Sequence, residues 1–500
     1  MTDNVEFVTA GSGAGPDARS GMSRGKVAAA VVGSMAVVGL AVGGAAAVNV
    51  LGGGGAQPED IVPANAVMFA KIDLDPASGQ KIDALRFLRK FPALKDRIGM
   101  DDTADLRRKI FEEAQKEGAF KDLSYDADIA PWLGDRFAFA AVPTDGGKDV
   151  AAVAILASTD EAKAKAAIAK AGTTGSTCDV VADFVRCAEK PEHLAAFAAG
   201  DAPLAKAANF SGDMKDLGED GIASMWVDVK GAFDLAAAAG ATGTDSLPAE
   251  QMAKVKEQIG DGRMVAALRF DGPNLELAGS VKGTKVTGNP GKDAGAIAAL
   301  PADTIAAVSI SGLGEQLTKT WADLEKSFTD LISSTGGSDP IAEAEQQLGI
   351  QLPEDIVKIV GNKTTIAFGG MDTGSGMPKV ALKTDGDPAV VQKLMSKVAE
   401  QGQAFGFSSA KGVTLAMDQA YADAVATGSG LDQNATFTAA MPDYAKATQA
   451  GFVDIAKVVE QFGADIPADE KANLAPLSAF GFSASQDGGD ADFTLRLTTK

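Results

Sequence analysis

Residues 61–76 read IVPANAVMFAKIDLDP, and residues 299–313 read ALPADTIAAVSISGL. Each stretch places a proline after two apolar residues, makes a short turn, and runs into an apolar, β-prone segment. That order predicts a strand entered from a fixed turn. A chain that opens the same way twice predicts two related units. Further matches keep a near-constant spacing. WLGDRFAFAAV around Gly134 matches IVGNKTTIAFGG around Gly361. DVAAVAILASTDEAKAKAAIAK at 149–170 matches PKVALKTDGDPAVVQKLMSKV at 378–398. ANFSGDM at 208–214 matches ATFTAAM at 435–441, and WVDVKGAF at 226–233 matches FVDIAKVV at 452–459. The units are placed at 58–285 and 296–500, with a Gly- and Lys-containing linker at 286–295.

Both units read alike. A strand (67–72; 304–310) leads into amphipathic helices carrying Leu85, Leu88, Phe91 and Leu94, or Trp321, Leu324, Phe328, Leu331 and Ile332. A hairpin follows (136–142 with 150–156; 363–369 with 379–384), then a helix at 160–171 or 387–401. After a further strand and a short helix comes another strand (222–229; 450–455) and a terminal pair. Phe493, Leu495 and Leu497 alternate with Thr494, Arg496 and Thr498, the pattern of an antiparallel strand with one buried and one wet face. The expected fold is α+β: two tandem units, each a mostly antiparallel sheet with helices on one face. The patterning leaves open how the two sheets meet.

Residues 27–51 carry no charge over 25 positions. As a helix such a run spans about 37 Å, enough for a hydrocarbon core of about 30 Å. Arg24 and Lys26 precede it and QPED follows, which predicts a cytoplasmic N-terminus and an extracytoplasmic 52–500. Ala45 and Ala47 would suit a cleaved signal peptide, but the apolar run exceeds the usual ~7–15 residues. The reading adopted is a single-pass, uncleaved anchor in the plasma membrane. Residues 1–26 read as a disordered cytoplasmic tail and 52–57 as a Gly-rich tether. Gly39 and Gly43 form a GxxxG, the candidate helix–helix contact in the span.

The net charge is −21. Residues 1–26 balance Asp3, Glu6 and Asp17 against Arg19, Arg24 and Lys26, so the acidity falls on the region after the span. Such a surface repels phosphate backbones and anionic headgroups, which argues against nucleic-acid partners and against docking on a lipid surface.

The order anchor, Gly-rich tether, VPANAVMFAKIDLDPASGQKIDALRFLRKFP, then WLGDRFAFA resembles actinobacterial membrane-anchored proteins of domain-of-unknown-function family 3352. The resemblance runs over nearly all of 25–500 and is sharpest from Pro63 to Pro92 and around Gly134. It implies a cell-envelope location and carries no active-site residues.

The one histidine, His193, lies in EKPEHLAAF and reads as a solvated residue at a helix start. No G-x-S-x-G elbow and no phosphate-binding loop occur, and a single histidine rules out H-E-x-x-H. No catalytic, metal or cofactor residues are assigned. Cys178 and Cys187, nine apart, are too wide for a C-x-x-C pair and are the disulfide candidate outside the membrane. The second unit has no cysteine. Asp73 with Asp75, and Asp213, Asp216, Glu219 and Asp220, read as solvated acidic loops. The function expected first is a non-enzymatic ectodomain that binds an envelope protein or organises the envelope. The alternative is a binder or carrier of a lipid-like apolar ligand between sheet and helices. A carboxylate-based cell-wall hydrolase ranks third, without a dedicated motif.

Overall fold

The computed structural model describes residues 55–92, 107–108, 111–112, 115, 123–171, 177–198, 202–238, 249–286, 294–335, 340–372, 374, 376–400, 405–464 and 466–500. The span at 27–51, with Gly39 and Gly43, lies outside the described residues. Among the described residues no helix is long and apolar enough to cross a membrane.

The strands are β1 (Met68–Asp73), β2 (Leu133–Thr144), β3 (Asp149–Ser158), β4 (Thr177–Val181), β5 (Phe184–Ala188), β6 (Ala223–Asp228), β7 (Arg263–Asp271) and β8 (Asn274–Lys282) before the linker. After it come β9 (Ala306–Ser311), β10 (Lys363–Met371), β11 (Pro378–Thr384), β12 (Gly406–Ser408), β13 (Val413–Ala416), β14 (Gln449–Asp454), β15 (Leu477–Asp487) and β16 (Asp490–Thr499). All join one antiparallel sheet, in the order β12-β13-β11-β10-β9-β14-β15-β16-β8-β7-β6-β1-β2-β3-β5-β4. The two halves meet edge to edge where β16 pairs with β8, with Leu277 opposite Leu495 and Glu276 opposite Arg496. Counted outward from that seam, strand order is the same in each half.

The two opening stretches make the same backbone contacts. The Val62 carbonyl accepts from the Leu204 N–H at 2.7 Å, and the Leu300 carbonyl from the Leu431 N–H at 3.1 Å. Pro63 bridges Pro203, and Pro301 bridges Gly430. All four of Val62, Leu204, Leu300 and Leu431 are fully buried. Each stretch is a strap that pins the entry to a central strand beneath a layer of short helices.

Helices cover both faces of the sheet, not the one face expected. The α-helices along the chain are α1 (Ser78–Leu88), α2 (Glu161–Ala171), α3 (Pro191–Ala198), α4 (Ala208–Leu217), α5 (Val229–Ala238), α6 (Ala249–Ile259), α7 (Leu313–Thr335), α8 (Pro340–Leu348), α9 (Glu354–Val360), α10 (Pro388–Glu400), α11 (Gln419–Thr427), α12 (Ala435–Ala440), α13 (Ile455–Phe462) and α14 (Ala468–Leu474). On one face, Leu194 and Phe197 of α3 and Phe210 of α4 pack on Phe69, Ala140, Val153 and Trp226. In the second half Val425 of α11 and Phe437 of α12 pack on Ala307, Ala381 and Phe452. The opposite face holds α5 on Met68, Ala141 and Val227, and α1 on Phe270 and Leu275. Met68 and Phe69 are neighbours in β1 and point to opposite faces, and both are buried. Central strands apolar on both sides need cover on both sides.

Polar groups fix the seam. Arg496 and Glu276 are both buried, and the Arg496 Nη1 donates to Glu276 Oε2 at 3.1 Å. Glu276 Oε1 accepts from Arg269 Nε at 2.8 Å, and Arg496 also pairs with Asp271. Removing one member of a buried ion pair costs about 3–5 kcal/mol. Arg496→Met is therefore expected to lower the urea midpoint of the full chain by an equivalent of about 3 kcal/mol. An unchanged midpoint would show that the seam does not depend on this pair.

Candidate functional site

The ordinary inside–outside rule is reversed on β9 and β10. Toward the helix layer of α11 and α12, β9 points Ala307, Ser309 and Ser311, all buried. Ser309 and Thr365 of β10 are each 1% exposed and share a hydrogen bond of 2.9 Å. The large apolar side chains point the other way. Val308 is 51% and Ile366 52% exposed. A buried hydroxyl row backed by open aliphatics is the informative kind of exception, because scattered exposed apolar residues are common and an apolar patch is not.

These residues floor a cavity of about 380 Å³. Val308, Ile366, Val453, Phe480 and Phe482 line it, with Gly451 at its centre and Ala306 and Phe368 toward one end. Gly451 stands opposite Val308 on one side and Phe482 on the other. A Cβ built on it would meet nothing nearer than 3.9 Å, so the missing side chain is what gives the trough its depth. In the first half the register places Met225 opposite Ala70 on the corresponding central strands. Met225 packs beside Met68 and Val227 and fills that space. Phe368 stacks on Phe462 of α13 at 6.3 Å and walls the end.

At its first turn α7 lies against the end of α9. The Gly314 N–H donates to the Gly361 carbonyl at 2.8 Å, and a Cβ on Gly314 would come within 2.6 Å of that oxygen. The glycine lets α7 start against the end of α9 instead of lying along the strands. In the first half α1 stays on the sheet, with Ala84, Phe87 and Leu88 on Leu268, Phe270 and Leu275 and on Leu497 of β16.

The residues singled out from the sequence lie elsewhere. Cys178 and Cys187 face each other on β4 and β5 and are joined by a disulfide with S–S 2.09 Å. It staples the outermost hairpin of the first half. Asp73 accepts from Arg136 Nε at 2.9 Å, Asp75 pairs with Lys81, Asp220 pairs with Lys71 at 3.0 Å, and Asp216 pairs with Lys282. Glu219 accepts from Gln80 Nε2 at 3.2 Å. Asp213 is not solvated as expected. It is buried on α4 and accepts from Trp226 Nε1 at 2.9 Å and Arg263 Nε at 2.8 Å, tying the helix to the sheet. His193 also departs from the expected surface position. It is 6% exposed, on the face of α3 that also buries Leu194 and Phe197 against the sheet. Neither ring nitrogen has a partner among the described residues. Among the described residues no group of three or more His, Cys, Asp or Glu is placed to hold a metal ion.

Residues 27–183 match the family described as Protein of unknown function (DUF3352). No curated protein and no solved structure matches the chain. The DUF3352 match takes in β1 to β4, and the trough, built from β9, β10, β14 and β15, lies outside it. Sequence reasoning missed the trough because its residues have ordinary strand character. The signal was present in AVSIS at 307–311, where serines occupy the alternate positions that a helix layer buries.

Two measurements follow from the partnered residues. Closing a loop this short with a disulfide contributes about 2–3 kcal/mol. The double variant Cys178→Ser, Cys187→Ser is expected to lose that much in denaturant titration, and no loss would mean that the bridge leaves the stability of the edge hairpin unchanged. Burial works against the Lys71 charge, but Glu59 at 2.9 Å and Asp220 at 3.0 Å outweigh it and hold its pKa above the ordinary 10.5. The charged form is favoured in the fold, so its contribution is complete below pH 10.5 and lost as pH rises through the raised value. Unfolding midpoints should fall on the alkaline side of pH 10.5. Lys71→Met should make that fall shallower, and equal slopes would assign it to other groups.

Proposed function

We propose that this chain is a membrane-tethered, extracytoplasmic, non-enzymatic protein that binds an apolar, lipid-like ligand in the trough of its second half. The observation that carries this reading is the open apolar floor at Val308 and Ile366, backed by a buried hydroxyl row. A cavity of about 380 Å³ is within the size of small-molecule sites. The uncharged run at 27–51 and the Cys178–Cys187 bridge support a tethered protein in an oxidising compartment. The trough shifts the balance from the protein-interaction role, put first on sequence grounds, to its alternative.

The two halves descend, on this reading, from one duplicated α+β unit. Shared strand order and shared strap contacts support that. The copies then diverged at the centre, with Met225 filling one face and Gly451 opening the other.

Full chain purified from the membranes of expressing cells should carry a hydrocarbon-chain species, detected by mass spectrometry of its lipid extract. Gly451→Leu puts a side chain into the trough, with its Cβ no nearer than 3.9 Å to any neighbour, and should remove most of that species. An identical lipid profile in both proteins would end this reading.

A further inference from the structure

We infer that the trough selects a neutral ligand with one long hydrocarbon chain, an alcohol or comparable uncharged lipid, over an anionic one. This rests on the binding reading above and goes beyond it to the ligand class.

Among the described lining residues none titrates and none carries a hydrogen-bonding side chain. A carboxylate or phosphate drawn onto Val308 and Ile366 would lose its water and gain no partner. Several cations on the flanking elements are engaged, Lys471 on α14 by the Gly463 carbonyl at 3.2 Å. Lys457 on α13 pairs with Asp454 at 3.8 Å, and Lys379 on β11 with Asp372 at 3.7 Å. The chain's net charge of −21 adds long-range repulsion against an anion.

The end walled by Phe368 supplies a different group. Beyond it on β10 lies Gly370, where a Cβ would come within 2.6 Å of Gln461 Oε1 on α13. The glycine leaves room for that amide, an uncharged donor and acceptor, two residues past Phe368 on β10 and outside the apolar lining. A hydroxyl at the end of a chain can use such a group, and a phosphate would need a cation. The size also discriminates. About 380 Å³ is near the lower bound of the ~300–1,000 Å³ typical of ligand sites, which suits one chain and not a two-chain lipid.

The test uses full chain reconstituted in phosphatidylcholine vesicles and two photoreactive probes of equal chain length. One is a diazirine-bearing hexadecanol and the other the corresponding hexadecyl phosphate. After irradiation, the peptides carrying Val308, Ile366 and Phe482 are quantified by mass spectrometry. The alcohol is expected to label them, the phosphate roughly tenfold less, and Gly451→Leu to abolish the alcohol signal. Equal labelling by both probes, lost in Gly451→Leu, would overturn the neutral selectivity and leave the binding reading standing. Labelling by neither probe above the Gly451→Leu level would overturn the binding reading itself.

Discussion

The pairing of β8 with β16 is the constraint on which the rest of the structure depends. It turns two eight-strand sheets into one and removes two edges that would otherwise present open backbone groups. The ladder is reinforced on one face by Arg496, Glu276 and Arg269, whose opposite charges pair with one another. On the other face α1 of the first half reaches Leu497 of the second. A hydrogen-bonded seam, a buried ion network and a bridging helix thus join residues more than two hundred positions apart. Phe493 adds a steric key. Its ring lies over Gly279, where any Cβ would come within 2.5 Å of it.

With the sheet continuous, its two faces acquire different tasks. One is lined in the second half by small residues, Ala307, Ala367, Ala381 and Ala416, all nearly or fully buried. Small side chains let the short helices α11 and α12 approach closely, and the core volume is then filled by Phe437, Met441 and Phe452. The bulk that the strands do not spend on that face is placed on the opposite one, as Val308, Ile366, Phe480 and Phe482. There Val308 and Ile366 stay about half exposed.

The polar residues serve the fold. Asp213 holds α4 to Trp226 and Arg263, Lys71 is clamped by Glu59 and Asp220, and Arg136 by Asp73. These groups concentrate on the first half, which has the more elaborate polar anchoring. The second half uses Ser–Thr hydrogen bonds and aliphatic packing in the same places.

Local pattern was enough for much of this. The alternation of Phe493, Leu495 and Leu497, the spacing of the two proline straps, the α+β class and the partnership of Cys178 with Cys187 all follow from short-range rules of period and turn chemistry. Such rules act within a strand or a hairpin, where sequence neighbours are spatial neighbours. What they could not reach was decided by contacts between distant segments. Edge-to-edge pairing, cover on both faces, the burial of His193 and Asp213, and the opening at Val308 each depend on which element lies over a residue. A valine on a strand has the same local preference whether a helix covers it or not. Val308 is 51% exposed, while Ala307 beside it is buried under the helix layer.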